Sequence, residues 1–269
     1  MSQAKRDVLM SVEVWTDVLE QYLGNHLVYA YAKGSGMKSW GSPIDYVPIL
    51  SDVDIHLKLR DKNNQGLFPA SKDVFDDSMK LSLAYEEEFL KRSSEHLHVP
   101  RSQLVVLDKL TEMVVYVPPK KSQVYPMVGE IPEPVLPEAD AIRRIDLQNI
   151  YAMEEFIERI PSRVSDRSGL DFWSVIREMT YRVSPAPVRL LSQTHDSPID
   201  LWGLNRSDIS RELRNESYGD IAEHYRAYYL AAWNLFLSAF TDLKAFRTTT
   251  SQGYYALLKT LQAAKEMER

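Results

Sequence analysis

Two aspartates stand one residue apart in "SDVDIHLKL", residues 51–59, within an otherwise apolar run. Strand alternation puts Val53, Ile55, Leu57 and Leu59 on one face and Asp52, Asp54, His56 and Lys58 on the other. At a rise of about 3.3 Å per residue, the Cα atoms of Asp52 and Asp54 lie roughly 6.5–7 Å apart. Carboxylates that close repel each other, and a divalent cation offsets the cost. They can converge on one cation or bridge two cations roughly 3.5–4 Å apart. Hard oxygen donors select Mg2+ or Mn2+, and magnesium commonly completes its shell from phosphates. Removing one charge, as in Asp54→Asn, is expected to relieve repulsion and raise metal-free stability.

A phosphate partner fits a second feature upstream. Gly34-Ser35-Gly36 follows the apolar run "HLVYAYAK". Glycines let the backbone approach a phosphate closely, and a serine hydroxyl with free amides can hold its oxygens. Gly34, Ser35, Gly36 and the nearby Lys38 are therefore the candidate nucleotide-binding residues, and Lys33 flanks the same turn. Asp45 lies between Pro43 and Pro48 in the intervening stretch, where turn capping accounts for it better than catalysis.

The elements around these residues alternate. Val8, Leu9, Val12, Trp15, Val18, Leu19 and Tyr22 recur at helical spacing over residues 5–23, with Gly24 as the stop. "HLVYAYAK" and "SDVDIHLKL" read as strands, and Ser71 is the expected N-cap of a helix to about Ser94. "SQLVVLDKL" and "EMVVYV" read as further strands. Six prolines between Val117 and Glu138 then argue for an extended connector. The remainder is helical by pattern, over 138–160, 169–182, 186–194, 207–215, 218–246 and 251–268. Tyr225, Tyr228, Tyr229, Trp233, Phe236 and Phe240 form an apolar stripe suited to core packing.

The chain has 269 residues, a net charge of −6 and no cysteine. Disulfides, thiolate zinc sites and cysteine nucleophiles are excluded. The acidic balance argues against long duplex nucleic acid as a partner. "MSQAKRDVLMSVEVW" lacks the apolar core of a signal peptide, and no run reaches the length of a membrane span. A cytoplasmic protein without a membrane partner is the expectation.

The turn Gly34-Ser35 followed by Ser51-Asp52-Val53-Asp54-Ile55 resembles the signature of the DNA polymerase β-like nucleotidyltransferase superfamily, in which a glycine-serine turn leads a helix and precedes a strand with Asp-x-Asp. The helical second half looks similar to that of its aminoglycoside-type members. The resemblance implies an α/β (α+β) nucleotidyltransferase domain with a small mixed sheet over residues 1–122. A proline-rich connector over 123–137 and an all-helical substrate and cleft domain over 138–269 would follow. It also implies a nucleoside triphosphate and an acceptor hydroxyl on a small molecule or protein as partners, with Mg2+ or Mn2+ as cofactor. Asp52 and Asp54 become metal ligands and catalytic residues. The family's third carboxylate falls to Asp108, with Glu112 or a residue of the second half as alternatives. The interval from Ser35 to Asp52 is longer than usual for the family, so "MKSWGSPIDYVPIL" reads as an extra loop. A nucleotide-binding protein without turnover is the rival reading. A further one rests on Arg189 and His195, whose spacing resembles the motif of HEPN-type helical ribonucleases.

Overall fold

The computed structural model describes residues 1–60, 67, 73–111 and 116–267. The expected cap Ser71, the start of "EMVVYV" and the alternative acid Glu112 lie outside these residues. The chain divides into two compact units. One holds Met1–Lys38 and Ser51–Leu136, and the other holds Ser39–Leu50 and Pro137–Arg269.

The first unit contains α1 (Ser2–Leu23), β1 (Leu27–Lys33), β2 (Val53–Leu59), α2 (Val74–Arg92), β3 (Ser102–Val106), the short α3 (Leu107–Thr111) and β4 (Tyr125–Val128). The strands form one sheet in the order β3-β2-β1-β4. β1 is antiparallel to β2 and to β4, and β2 is parallel to β3, so this small sheet is mixed. Ala4, Val8, Val12, Trp15 and Leu19 form the buried stripe of α1. Val53, Ile55, Leu57 and Leu59 are buried on the apolar face of β2. Burying each such side chain contributes about 1.5–3 kcal/mol. Leu81, Tyr85 and Phe89 are the buried residues of α2, and Tyr85 stacks on Trp15 at 4.4 Å. Two polar tips then locate the head of β3. Trp15 Nε1 donates to the Ser102 hydroxyl at 2.8 Å, and the Tyr85 hydroxyl donates to the Pro100 carbonyl at 2.7 Å.

In this unit two stretches differ from the pattern-based reading. β3 stops at Val106, and the chain turns into α3 because Leu107 packs with Tyr31 and Ile131 instead of extending the ladder. The stretch expected as connector contributes β4, whose Pro126 stands on an edge strand, the place in a sheet where a missing N–H is tolerated.

The second unit contains α4 (Ala139–Tyr151), α5 (Glu154–Asp166), α6 (Phe172–Val183), α7 (Ala186–Leu191), α8 (Pro198–Leu201), α9 (Arg206–Asn215), α10 (Gly219–Leu237) and α11 (Leu243–Met267). Tyr225, Tyr228 and Tyr229 of α10 are fully buried with Phe246 of α11, in agreement with core packing. The expected helix 138–160 is two helices, and the second continues through Pro161 with Phe156, Ile157 and Ile160 buried. The expected helix 218–246 breaks after Leu237, where Ala239 and Phe240 take positive φ and Phe240 meets Trp173 edge-on at 5.0 Å.

Residues 39–50 belong to this helical unit. Ser42 caps a 3-10 turn over Pro43–Asp45, Ile44, Tyr46, Val47 and Leu50 are buried, and Trp233 donates to the Pro43 carbonyl. Asp45 accepts from the amides of Gly41 and Ser42, both at 2.8 Å, which is the expected turn cap. It also accepts from the Ser207 amide at 2.7 Å and hydroxyl at 2.9 Å at the start of α9. Among the described residues no helix is long and apolar enough to cross a membrane.

Candidate functional site

β1 and β2 are antiparallel and β2 and β3 parallel, so the end of β1 and the starts of β2 and β3 meet at one end of the sheet. That end carries the Gly34-Ser35-Gly36 turn and both aspartates. The turn is closed by the Met37 amide donating to the Gly34 carbonyl at 3.1 Å. No α-helix lies in the chain between the turn and β2, in contrast to the helix that the resemblance implies; residues 39–50 of that stretch belong to the other unit.

Gly34 has φ +85°, and a Cβ placed on it would lie 2.1 Å from Asp54 Oδ2. A side chain there is excluded twice, by the backbone conformation and by the carboxylate resting against the turn. A Cβ on Gly36 would come 3.2 Å from Val8 Cγ1 and 3.6 Å from the Asp52 carbonyl. Lys5 of α1 donates from Nζ to the carbonyls of Gly36 at 2.9 Å and Lys38 at 3.1 Å, and burial lowers its pKa. Lys5 is invisible as a site residue in the sequence, because nothing marks one lysine of an amphipathic helix as turned toward a distant loop.

The strand face with the aspartates is rich in charge. Lys33 is the register partner of Asp54. Burial lowers the Lys33 pKa, and the Asp54 charge opposes that shift. Asp52 forms a salt bridge with Arg101. Arg101 precedes β3 by one residue, and its carbonyl accepts from the Val53 amide at 2.9 Å, so the backbone sets it across from Asp52. Its signal in "RSQLVV" is alternation: Arg101 and Gln103 share a face while Ser102 and Leu104 share the other. His56 is buried on the polar face with Nδ1 3.2 Å from the Tyr31 hydroxyl. Burial, aided by the Lys33 charge, pushes the His56 pKa down to about 3, so its imidazole is neutral.

Asp108 does not join the pair. It lies in the first turn of α3 and forms a salt bridge with Lys58, four residues along β2 from Asp54, which is roughly 13 Å. The reason is register: β3 brings Gln103, not an acid, opposite Asp54. Among the described residues no three His, Cys, Asp or Glu side chains gather where they could hold a metal ion. The two carboxylates suit a hard cation by donor type, and Asp52 also pairs with Arg101. The turn residues Gly34 and Gly36 do lie against the Asp-x-Asp strand.

In the helical unit, Arg189 is directed at buried Asp146, with Nε 3.8 Å from Oδ1. His195 is exposed, and its Nδ1 accepts from the Ser197 amide at 3.0 Å. His98 Nδ1 is 3.2 Å from buried Asp7, which also accepts from the Leu97 amide at 2.9 Å. Comparison with protein-family models, with curated proteins and with solved structures finds no match for this chain.

Proposed function

We propose that the chain is a metal-dependent nucleotidyltransferase that moves a nucleoside monophosphate from a nucleoside triphosphate to an acceptor hydroxyl, releasing pyrophosphate. The observation that carries this reading is the contact between the Gly34 backbone and the Asp54 carboxylate. It unites a tight turn able to cradle phosphate oxygens with a paired-acid strand able to hold a hard cation. Mg2+ or Mn2+ on Asp52 and Asp54 would neutralise phosphate charge during in-line displacement at the α-phosphorus. The turn amides and Ser35 bind the phosphates. Lys5 holds the turn in shape through two of its carbonyls. Lys33 adds positive charge beside Asp54. The acceptor oxygen would form the new bond to the α-phosphorus as the bond to the bridging oxygen breaks, pyrophosphate leaving and the hydroxyl proton passing to solvent.

A second reading has its own support. Gln103 stands opposite Asp54, and an amide cannot take the acceptor proton as a carboxylate would. Nucleotide binding without turnover fits that residue. Calorimetry with Mg2+ and a non-hydrolysable triphosphate tests the shared part: wild type is expected to bind and Asp54→Asn to lose binding, whereas equal binding rejects both readings. Pyrophosphate release across a panel of hydroxyl acceptors then separates transfer from binding alone.

A further inference from the structure

The Asp52–Arg101 pair is built into the candidate site. Arg101 is held by its backbone at the head of β3, anchored next to Trp15 and Tyr85 through Ser102 and Pro100. Both side chains are partly exposed, Arg101 at 34% and Asp52 at 26%, while Arg101 Nε is buried, so an exchange needs only the outer nitrogens of the guanidinium to re-aim about a seated Nε. A guanidinium presents a planar fork of donors that matches a phosphate as well as a carboxylate. A divalent cation arriving at Asp52 and Asp54 meets a positive charge already seated there, and the two repel.

We propose that Arg101 is an exchangeable counter-ion. It neutralises Asp52 while the site is empty, and moves to the phosphates of the nucleotide when a metal–nucleotide complex binds. The proposal rests on the nucleotide-binding reading above and adds a role for a residue outside the sequence motif. Its consequence is an ordered preference. Metal alone competes with Arg101 for Asp52, whereas metal with a triphosphate supplies both a replacement cation for the aspartates and an anion for the arginine. Metal and nucleotide therefore strengthen each other's binding through this one side chain.

The test uses the full chain and two probes, Mn2+ alone and Mn2+ with a non-hydrolysable nucleoside triphosphate, followed by electron paramagnetic resonance and calorimetry. Arg101→Ala is expected to bind Mn2+ alone roughly tenfold more tightly than wild type, because a nearby unit charge is gone. The same variant is expected to bind the Mn2+–triphosphate roughly tenfold more weakly, because a charge-assisted phosphate contact is lost. Arg101→Lys keeps the charge and loses the fork, so its Mn2+ affinity stays near wild type while its triphosphate affinity falls. Opposite signs for the two probes support the exchange. If Arg101→Ala leaves Mn2+ binding unchanged or weaker, while Asp54→Asn abolishes it, the exchange is wrong and the metal site stands. Tighter binding of both probes also overturns the exchange, since Arg101 then only obstructs. If neither wild type nor Arg101→Ala shows Mn2+ binding that depends on Asp54, the exchange and the underlying reading both fall.

Discussion

Asp45 in the helical unit and Asp52 in the sheet unit flank the same short stretch of chain, yet they are satisfied in opposite ways. Asp45 is fully buried and accepts from three backbone amides and one hydroxyl, all fixed by the turn over Pro43–Asp45 and the start of α9. Asp52 is partly exposed and faces the end of one long side chain, Arg101. An acid held by backbone donors has nowhere to go and nothing to exchange. An acid balanced by a side-chain cation has a partner that a second cation could replace. Burial with fixed donors marks a structural carboxylate, and a partly exposed ion pair at a sheet end marks a candidate for binding.

The largest effect expected from this contrast is at Asp45. Asp45→Ala would remove a buried acceptor from three amides and one hydroxyl, all part-buried, and at about 0.5–1.5 kcal/mol for each bond the loss of stability should reach about 3 kcal/mol. Urea denaturation measures it, and a loss below about 1 kcal/mol would erase the distinction between the two acids.

Asp146 sharpens the contrast because it is buried yet faces an arginine side chain at 3.8 Å. Burial raises its pKa from 3.8 to about 6, against the opposing pulls of Ser192, Arg189 and Trp202. A folded pKa above the unfolded one gives stability that is complete below about pH 4 and lost as the pH rises through about 6. The loss is roughly 2–3 kcal/mol. Denaturation midpoints of wild type and Asp146→Asn between pH 4 and 7 are expected to diverge across that window, with the variant lacking this component. Parallel curves would show that the carboxyl titrates no differently once folded.

Gly34 tests the contact at the sheet end. Gly34→Ala forces a side chain onto Asp54 and into a positive φ, so a stability loss of about 1–3 kcal/mol is expected, together with loss of triphosphate affinity. Adding Asp54→Ala should recover the part of the stability lost to the clash, though not the part lost to the positive φ, and should not recover binding. Recovery of both in the double variant would remove Asp54 from the site.

The smallest stability effect is expected at Asp54 itself. Relief of repulsion between the aspartates suggests a higher melting temperature for Asp54→Asn. With Arg101 on Asp52 and Lys33 across from Asp54, that repulsion is already offset, and a change within about 1 kcal/mol is expected instead. Thermal melts without metal check it. A clear rise would show that the two cations do not balance the pair.

Much of the local structure was legible in the residues alone. Alternation located β2 and sorted its faces, helical spacing located α1, and the glycine turn announced a tight reversal before the acidic strand. These follow from periodicity and backbone sterics, which act over a few neighbours. Long-range placement was not legible. The proline-rich stretch gave no sign that Tyr125–Val128 pairs with β1, because an edge strand tolerates proline and its partner lies far back in sequence. The insert between turn and strand carried no mark of its membership in the helical unit, which Ser207 and Trp233 decide. Asp108 looked like the third acid because it follows an apolar run, and only the β2–β3 register placed Gln103 opposite Asp54 and Asp108 beside Lys58. Arg101 became part of the site for the same reason. Sequence by itself determined which residue types share a face, since that depends on spacing. Tertiary structure decided which faces and charges meet, since that depends on pairing and packing between segments that the chain order leaves free.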